Sequence, residues 1–400
     1  MPDILKTIKE ELPNIISDAA FEGANIVLYT DDKEFFKNGE NQIKEIVSKI
    51  KKRIELRADK KILASEEETE KTIKALVEEE AEITSIILDV QRSVVIIEAK
   101  KPGLVIGKQG SILSDIRKST LWIPVVQRSP AIPSKITEKI RSVLYANNNY
   151  RRKFLNDVGK KIYKDWNPEK KDMWARLTVL GSGSQVGRSC FLLHTPNSKI
   201  LLDCGINPAI TDGPEKFPYL DVSEIGDLNS IDAIILSHAH LDHCGLIPYL
   251  YKMGYKGPCY MTAPTRDISA LLQLDLIGVA YKQAQFPLYK AEDIKEMVRH
   301  SICLGYGEVT DITPDIRITF YNAGHVLGSA QVHINIGNGL HNFVYTGDTK
   351  YGKTRLLDAA INRYPRAETI QLESTYGGNQ DVLPPKKEIE YKFIQMVKET

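Results

Sequence analysis

The chain has 400 residues, of which 42% are hydrophobic, and a formal net charge of +1 at pH 7. These values are typical of folded globular proteins, and the length suggests two to four domains. No apolar run reaches the ~18 residues that a membrane-spanning helix needs, and the N-terminus lacks a secretory pattern. We therefore expect a cytoplasmic protein with no membrane partner. The five cysteines lack C-x-x-C spacing, which predicts free thiols in a reducing compartment.

The N-terminal third of the chain predicts one small α+β plan that occurs twice. Residues 1–68 follow the pattern helix, two short strands, helix, strand. Residues 69–133 repeat this pattern with clearer β-rich segments. Two related units of similar length indicate a duplicated module.

The second unit contains a glycine turn, Gly107-Lys108-Gln109-Gly110, between a short apolar helix and a longer one. Such a turn lets a nucleic-acid backbone approach the main chain, while amides at the helix start and a lysine meet phosphate. In this setting the unit resembles a KH domain of the prokaryotic topology, which implies that these four residues bind single-stranded nucleic acid. The first unit resembles a second KH domain, but it reads K-N-G-E at positions 37–40. A scaffold role for it is at least as reasonable as RNA binding.

Residues 134–171 predict a basic, mostly helical connector. From Lys101 to Lys164 the sequence has 14 Lys and Arg against 3 Asp and Glu. A local basic block in a neutral protein indicates a polyanionic partner. A solvated basic helix face explains part of the block equally well, especially residues 151–153.

Residues 172–378 predict a different pattern of secondary structure, with short strands separated by Gly, Ser and Pro turns and interrupted by helices. One of these helices is predicted at Gly245–Lys252. Strands that arrive in groups between helices predict two β-layers with helices packed outside.

Three of the eight histidines lie within the segment Ser237–Gly245, in the pattern H-x-H-x-D-H. His238 and His240 are two positions apart and can face one metal ion, whereas Asp242 and His243, on the following turn, can reach a second. The alternative is an incidental surface cluster of histidines. Additional ligand-type residues in a suitable order argue against that alternative.

Those additional residues follow three other predicted strands, at Asp203, His325 and Asp348. Taken singly, the histidine would more often be structural and each aspartate a turn residue. Four strand ends that each deliver a ligand-type group are hard to explain by turn chemistry alone.

In order, spacing and context these segments resemble the metallo-β-lactamase fold, an αββα sandwich, and Glu373-Ser-Thr-Tyr-Gly377 is similar to the first motif of the β-CASP nucleases. With two KH modules ahead of it, the chain is most similar to the archaeal homologues of the nuclease subunit of the cleavage and polyadenylation specificity factor. The resemblance implies a zinc-dependent ribonuclease that cuts nascent or messenger RNA through metal-hydroxide attack on phosphate. It implies an endonuclease that can also have 5′–3′ exonuclease activity, serving transcription termination or RNA 3′-end formation.

The resemblance also implies roles for individual side chains. A first zinc would be held by His238, His240 and His325, a second by Asp242 and His243, and both by Asp348. Asp203 would orient a ligand imidazole through its free N–H, and Glu373 would hydrogen-bond to a catalytic histidine supplied later in the chain.

The sequence departs from the family pattern at its end. β-CASP enzymes continue with an inserted domain and two more histidines, whereas this sequence ends at Thr400, within a helical pattern, and has no histidine after His341. We therefore expect residues 379–400 to begin the β-CASP domain of a longer protein. The second zinc would then bind weakly, which leaves the activity of this chain alone open.

The implied partners are single-stranded RNA, RNA polymerase, transcription elongation factors and, in the complete protein, a second copy of the chain in a homodimer. Two alternatives stay open. One is a catalytically inactive RNA-binding subunit or fragment, and the other is a β-CASP nuclease that acts on DNA.

Overall fold

A computed structural model of the chain describes residues 4–130, 134–145, 148–164, 174–378 and 384–399. The α-helices in these ranges are α1 (Ile4–Glu11), α2 (Lys33–Asn38), α3 (Glu40–Ile50), α4 (Glu66–Leu76), α5 (Pro102–Ile106), α6 (Ser111–Thr120), α7 (Lys135–Tyr145), α8 (Asn148–Ile162), α9 (Leu241–Cys244), α10 (Ile247–Lys252), α11 (Ala263–Lys282), α12 (Ala291–His300) and α13 (Lys386–Glu399).

The strands in the same ranges are β1 (Asp18–Glu22), β2 (Asn25–Thr30), β3 (Ile54–Ala58), β4 (Ile83–Asp89), β5 (Val94–Ala99), β6 (Ile123–Arg128), β7 (Arg176–Gly181), β8 (Cys190–His194), β9 (Lys199–Leu202), β10 (Ala233–Ile235), β11 (Cys259–Met261), β12 (Ser301–Cys303), β13 (Val309–Asp311), β14 (Ile316–Asn322), β15 (Ala330–Ile336), β16 (His341–Tyr345) and β17 (Thr369–Gln371).

The N-terminal third forms two modules with the same topology. Each has a three-stranded sheet, in the orders β1-β2-β3 and β4-β5-β6. In each sheet the first pair of strands is antiparallel and the second pair is parallel. The first module has two helices, α2 and α3, where the sequence pattern predicts one. Helix α2 is only 6 residues long and begins at its Asp32 cap, so it is too short to show a helical period.

A buried charge cluster joins the two modules. Arg57 of β3 and Arg92 of the β4–β5 turn both donate to the carboxylate of Glu22, at 2.7 and 2.8 Å. Burial alone would raise the pKa of Glu22, but hydrogen bonds and charges from the two arginines outweigh it and lower that pKa to about 2. The indole N–H of Trp122 also donates to the carbonyl oxygen of Ala64, at 3.0 Å. The modules are therefore fixed to each other.

The described part of the basic connector consists of α7 and α8, as the sequence predicts. Part of its positive charge is used in packing. The guanidinium of Arg151 donates to the carbonyl oxygens of Arg299 and Ser301 at the end of α12, and burial lowers its pKa to about 10. The interpretation of Arg151 as a solvated residue is therefore wrong. The same helix reaches the first module, where Asn156 accepts from the backbone N–H of Phe21 at 3.0 Å.

The C-terminal half is a sandwich of two sheets. The first sheet has six strands in the order β12-β11-β10-β9-β8-β7, and the second has five in the order β13-β14-β15-β16-β17. Successive side chains of a strand point to opposite faces. Leu202 and Ile235 therefore pack between the sheets with Phe320, whereas Leu201 lies under the helices on the other face of the first sheet.

This architecture, α+β modules followed by a sandwich with helices outside, is the predicted one. All five cysteines are free, four of them buried. None of the helices in the described ranges is long and apolar enough to cross a membrane. Helix α13 forms where the sequence predicts a helix.

Candidate metal centre

Four strand ends meet at one rim of the sandwich. Strands β9 and β10 of the first sheet lead into Asp203 and His238, and strands β14 and β16 of the second lead into His325 and Asp348. Because the two sheets pack face to face, residues at neighbouring strand ends come together from both layers.

One set of side chains forms a compact group. The ligand-type atoms of His238, His240, His325 and Asp348 all lie within 4.8 Å of one another. The Nδ1 atom of His240 is 3.1 Å from Nε2 of His238 and 3.2 Å from Nε2 of His325. The Oδ2 atom of Asp348 is 3.6 Å from Nε2 of His325. Three imidazole nitrogens and a carboxylate oxygen thus face one small volume.

A second set adjoins the first through the same aspartate. Asp242 and His243 lie on the short helix α9 and not on the turn that the sequence had predicted. The helix predicted at Gly245–Lys252 is α10, and α9 is a separate helix that precedes it. The Nε2 atom of His243 is 3.3 Å from Oδ1 of Asp348 and 3.7 Å from Oδ2 of Asp242. The two carboxylate oxygens of Asp348 therefore point to different sets.

Asp203 is the buried hub beneath these sets, with no exposed surface. Its carboxylate accepts from Nδ1 of His243 at 2.7 Å and from the hydroxyl of Tyr345 at 2.6 Å. It also accepts from the backbone N–H and the hydroxyl of Ser237, both at 2.7 Å. A carboxylate bound by four donors fixes the ring of His243 and leaves its Nε2 atom toward the site.

Ser237 extends this network to the first set. Because its hydroxyl donates to Asp203, its oxygen accepts from Nδ1 of His238, at 3.0 Å. This fixes the tautomer that presents the lone pair of Nε2 to the neighbouring histidines. Close packing also fixes the backbone: a Cβ atom on Gly205 would lie 1.8 Å from the carbonyl oxygen of Asp242.

The pKa shifts indicate which charges the site stabilises. Burial, together with the nearby His243, His240 and His325, holds the pKa of His238 well below its usual range, so its ring is neutral, as metal ligation requires. Burial opposes charge on His243, but Asp203 and Asp348 outweigh it and raise the pKa of that ring to about 10. The carboxylates thus stabilise a positive charge at this place. Imidazole nitrogens with carboxylate oxygens are a donor set that suits zinc.

Sequence reasoning overlooked three polar residues of this network. They are Ser237, Tyr345 and Ser189, whose hydroxyl lies 3.4 Å from Nε2 of His243. Ser237 directly precedes the histidine pattern, and Tyr345 lies three residues before Asp348. Their proximity in sequence to ligand-type residues was the available signal. Ser189 had no such signal, because only the fold brings it to His243.

Glu373 lies close to the site but without the predicted histidine partner among the described residues. Its carboxylate accepts from the backbone N–H of Thr375 at 3.0 Å, and its own N–H donates to the hydroxyl of Thr346 at 3.3 Å. Its charge acts to raise the pKa of His325, against the larger lowering effect of burial. Its role toward a later histidine stays a prediction.

The glycine turn of the second module is on the surface. Gly107 ends α5 with φ +73°, and Gly110 precedes α6 with φ +79°. Lys108 and Gln109 between them are exposed. A Cβ atom on Gly110 would meet no atom within 4 Å, so the main chain there is open to close approach by a ligand.

Two regions of the chain match known protein families. Residues 192–372 match the metallo-beta-lactamase superfamily domain, and residues 1–63 match the KH domain of the transcription termination factor FttA. The KH-domain match therefore covers the first module, which lacks a G-x-x-G turn.

Whole-chain relatives agree with these domain matches. The transcription termination factor FttA of Methanothermobacter thermautotrophicus is 48% identical, over 100% of this chain and 63% of that protein. The proteins of the same name from Methanosarcina mazei and Pyrococcus horikoshii are 47% and 45% identical, over 99% and 100% of this chain. The chain spans 62% of the length of each of these two relatives. The chain is therefore a homologue, over almost its whole length, of the archaeal proteins named transcription termination factor FttA, and it joins a KH domain to a metallo-β-lactamase domain.

Proposed function

We propose that the chain carries the catalytic centre of a zinc-dependent ribonuclease that cleaves single-stranded RNA. The observation that carries this proposal is the convergence of His238, His240, His325 and Asp348 within 4.8 Å, in a chain that also has KH modules. The imidazoles of His238, His240 and His325 would hold one zinc ion together with Asp348. Asp242 and His243 would hold a second zinc ion, also together with Asp348.

A pair of zinc ions, when bound, supplies Lewis-acid stabilisation of phosphate charge and a nucleophile at neutral pH. The protein's own contribution is orientation. Asp203 holds the ring of His243, and Ser237 holds the ring of His238, so neither imidazole has to reorganise when a metal ion arrives. Asp348 faces both sets and would fix the spacing between the ions.

The KH modules would hold the RNA strand that the metal centre cuts. The turn at residues 107–110 would let the strand approach the main chain at Gly110, where a Cβ atom would meet no atom within 4 Å, and Lys108 offers a positive charge for phosphate. Such contacts position a strand without reading its sequence. Part of the affinity would come from counterion release and would fall as salt rises.

We further propose a role in transcription termination or RNA 3′-end formation in the cytoplasm, because the relatives are named transcription termination factors. In the complete protein, RNA polymerase, elongation factors and a second copy of the chain are the proposed partners. The proposed reaction is cleavage inside the strand, with or without 5′–3′ trimming.

The test is a cleavage assay on RNA and DNA single strands of matched sequence, with zinc added, for this chain and for the full-length protein. We expect RNA to be cut, and His240→Ala to abolish cutting. His341→Ala is the matched control, because His341 lies at the start of β16, whereas Asp348 follows the end of that strand, and the Nε2 atom of His341 is 3.1 Å from the hydroxyl of Thr369. Equal cutting by His240→Ala would refute the proposal. Binding without cutting in the full-length protein would favour an inactive RNA-binding subunit, and preferential cutting of DNA would favour a DNA nuclease.

A further inference from the structure

A loop beside the metal centre has no role in the function proposed so far. We call residues 182–188, between β7 and β8, the rim loop. The residue that follows it, Ser189, donates from its backbone N–H to the carbonyl oxygen of Asp242 at 2.7 Å. The hydroxyl of Ser189 lies 3.4 Å from Nε2 of His243 and 3.3 Å from the hydroxyl of Ser182. Both ends of the rim loop are thus tied to the second set of ligand-type residues.

The rim loop is held in a strained conformation. Ser182, Ser184 and Arg188 have φ values of +66°, +57° and +47°, which L-residues adopt rarely. Such strain persists only where the surrounding structure enforces it, and it is concentrated at functional sites. Here the backbone N–H of Arg188 donates to the carbonyl oxygen of Ile206 at 3.0 Å.

The side chain of Arg188 is buried, at 6% exposure, and fully engaged. Its Nη1 atom donates to the carbonyl oxygen of Phe217 at 2.9 Å. Its Nε and Nη2 atoms donate to the side-chain oxygen of Gln185, at 2.7 and 2.8 Å, in the amide orientation that satisfies both groups. The guanidinium is therefore not available to bind a phosphate directly.

The guanidinium instead supports an aromatic ring. The Cζ atom of Arg188 lies over the ring of Tyr219, 4.8 Å from its centroid. The backbone of Tyr219 is fixed by donation to the carbonyl oxygen of Leu180 at 2.9 Å. Yet the residue is 56% exposed, although the cation covers one face of the ring. Val186 of the rim loop is also exposed, at 65%.

We propose that the ring of Tyr219 stacks on a nucleobase of the single-stranded RNA that the metal centre cleaves. This inference rests on the proposed ribonuclease function and assigns a positioning residue to it. Unpaired bases bind to protein by stacking on aromatic rings, and the interaction tolerates any base because every base has a π-face. A ring already held on a guanidinium loses little freedom when a base arrives. Arg188 contacts this ring, and the next residue, Ser189, lies 3.4 Å from Nε2 of His243, so a stacked base would hold the strand on the side of the metal centre where His243 lies.

The test measures RNA binding in the presence of a chelator, so that no strand is cut. The ligand is a single-stranded RNA long enough to reach from the glycine turn to the metal centre. We expect Tyr219→Ala to weaken binding by about 5- to 150-fold, the range found when a stacking aromatic is removed. Tyr219→Phe keeps the ring and should bind within about twofold of the wild type. Tyr281→Ala is the matched control, because Tyr281 is 63% exposed on the last turn of α11.

An RNA series with one abasic position moved along the strand identifies the stacked base. At one position the abasic RNA should bind the wild type as weakly as Tyr219→Ala binds the intact RNA, with no further loss in the variant. Wild-type affinity in Tyr219→Ala, or an equal loss in Tyr219→Phe, would overturn the inference. Because turnover is not measured, a failure of zinc-dependent cleavage leaves this result readable, and a failure of stacking leaves the cleavage assay unaffected.

Discussion

The candidate metal centre and the glycine turn differ in how the structure holds their side chains. In the metal centre, His243 and His238 are each fixed by a buried partner, Asp203 and Ser237. In the turn, the side chains of Lys108 and Gln109 are exposed, and a Cβ atom on Gly110 would meet no atom within 4 Å. Catalysis at a metal ion needs side chains fixed to within tenths of an ångström. Binding of a nucleic-acid strand at such a turn needs an accessible main chain.

The two N-terminal modules share one topology but differ in the link between their second and third helices. In the first module, α2 and α3 are joined by the single residue Gly39, with φ −76°. A Cβ atom on Gly39 would lie 2.6 Å from the carbonyl oxygen of Phe35, so this glycine lets the chain turn closely over the end of α2. The first module thus has the plan of the second but no open turn.

The largest predicted effect comes from removing the residue shared by both ligand sets. Asp348→Ala should reduce RNA cleavage by well over ~100-fold, because loss of an outer partner of a ligand already costs about 10- to 100-fold. Asp358→Ala is the control, since that side chain is 80% exposed and pairs with Lys353 at 3.0 Å. Initial rates at saturating RNA measure the effect. Similar rates for the two variants would contradict the shared-ligand assignment.

The next effect concerns the buried charge cluster between the N-terminal modules. Glu22 has a pKa of about 2 in the folded protein against 4.5 ordinarily, so its ionised form contributes stability on the order of 3 kcal/mol. Because the folded pKa is the lower one, this contribution is present above pH 4.5 and is lost as pH falls toward 2.

Chemical denaturation at several pH values tests this cluster. Glu22→Gln should unfold more easily than the wild type at pH 6, and the difference should shrink at pH 3. Glu34→Gln is the control, since Glu34 is exposed and its variant should follow the wild type. A difference that stays constant from pH 6 to pH 3 would argue against an ionised buried Glu22.

A smaller effect is expected for the hub of the metal centre. Asp203→Asn keeps the shape of the side chain but leaves one acceptor oxygen for four donors, so the ring of His243 loses its fixed orientation. We expect zinc affinity to fall by about 10- to 100-fold. Calorimetric titration measures this, and the melting temperature without metal separates it from unfolding. Unchanged affinity would mean that Asp203 supports the fold alone.

The smallest effect is expected at the glycine turn. Lys108→Asp with Gln109→Asp places two carboxylates where phosphate would lie, and the slope of log affinity against log salt should shrink by about 0.7 for the lost contact. The matched control is Lys37→Asp with Asn38→Asp, at the corresponding place in the first module. If both double variants weaken RNA binding equally, the distinction between the modules fails.

The sequence predicted elements and strand-end groups better than it predicted contacts. The duplicated module, the two β-layers and the residues at the ends of β9, β10, β14 and β16 follow from periodicity and order along the chain. Helix α2 was missed because one and a half turns show no period. The positions of Ser189 and Arg151 depend on which distant segments pack together, and no local pattern carries that information.

Zinc binding to the unmodified chain tests the central claim most directly. Calorimetric titration of metal-free protein should show one tight zinc site and a weaker second one. His325→Ala should abolish the tight site, because it removes one of the three imidazoles that converge there. His341→Ala should titrate like the wild type. A chain that binds no zinc, or a His325→Ala variant with unchanged zinc affinity, would contradict the account.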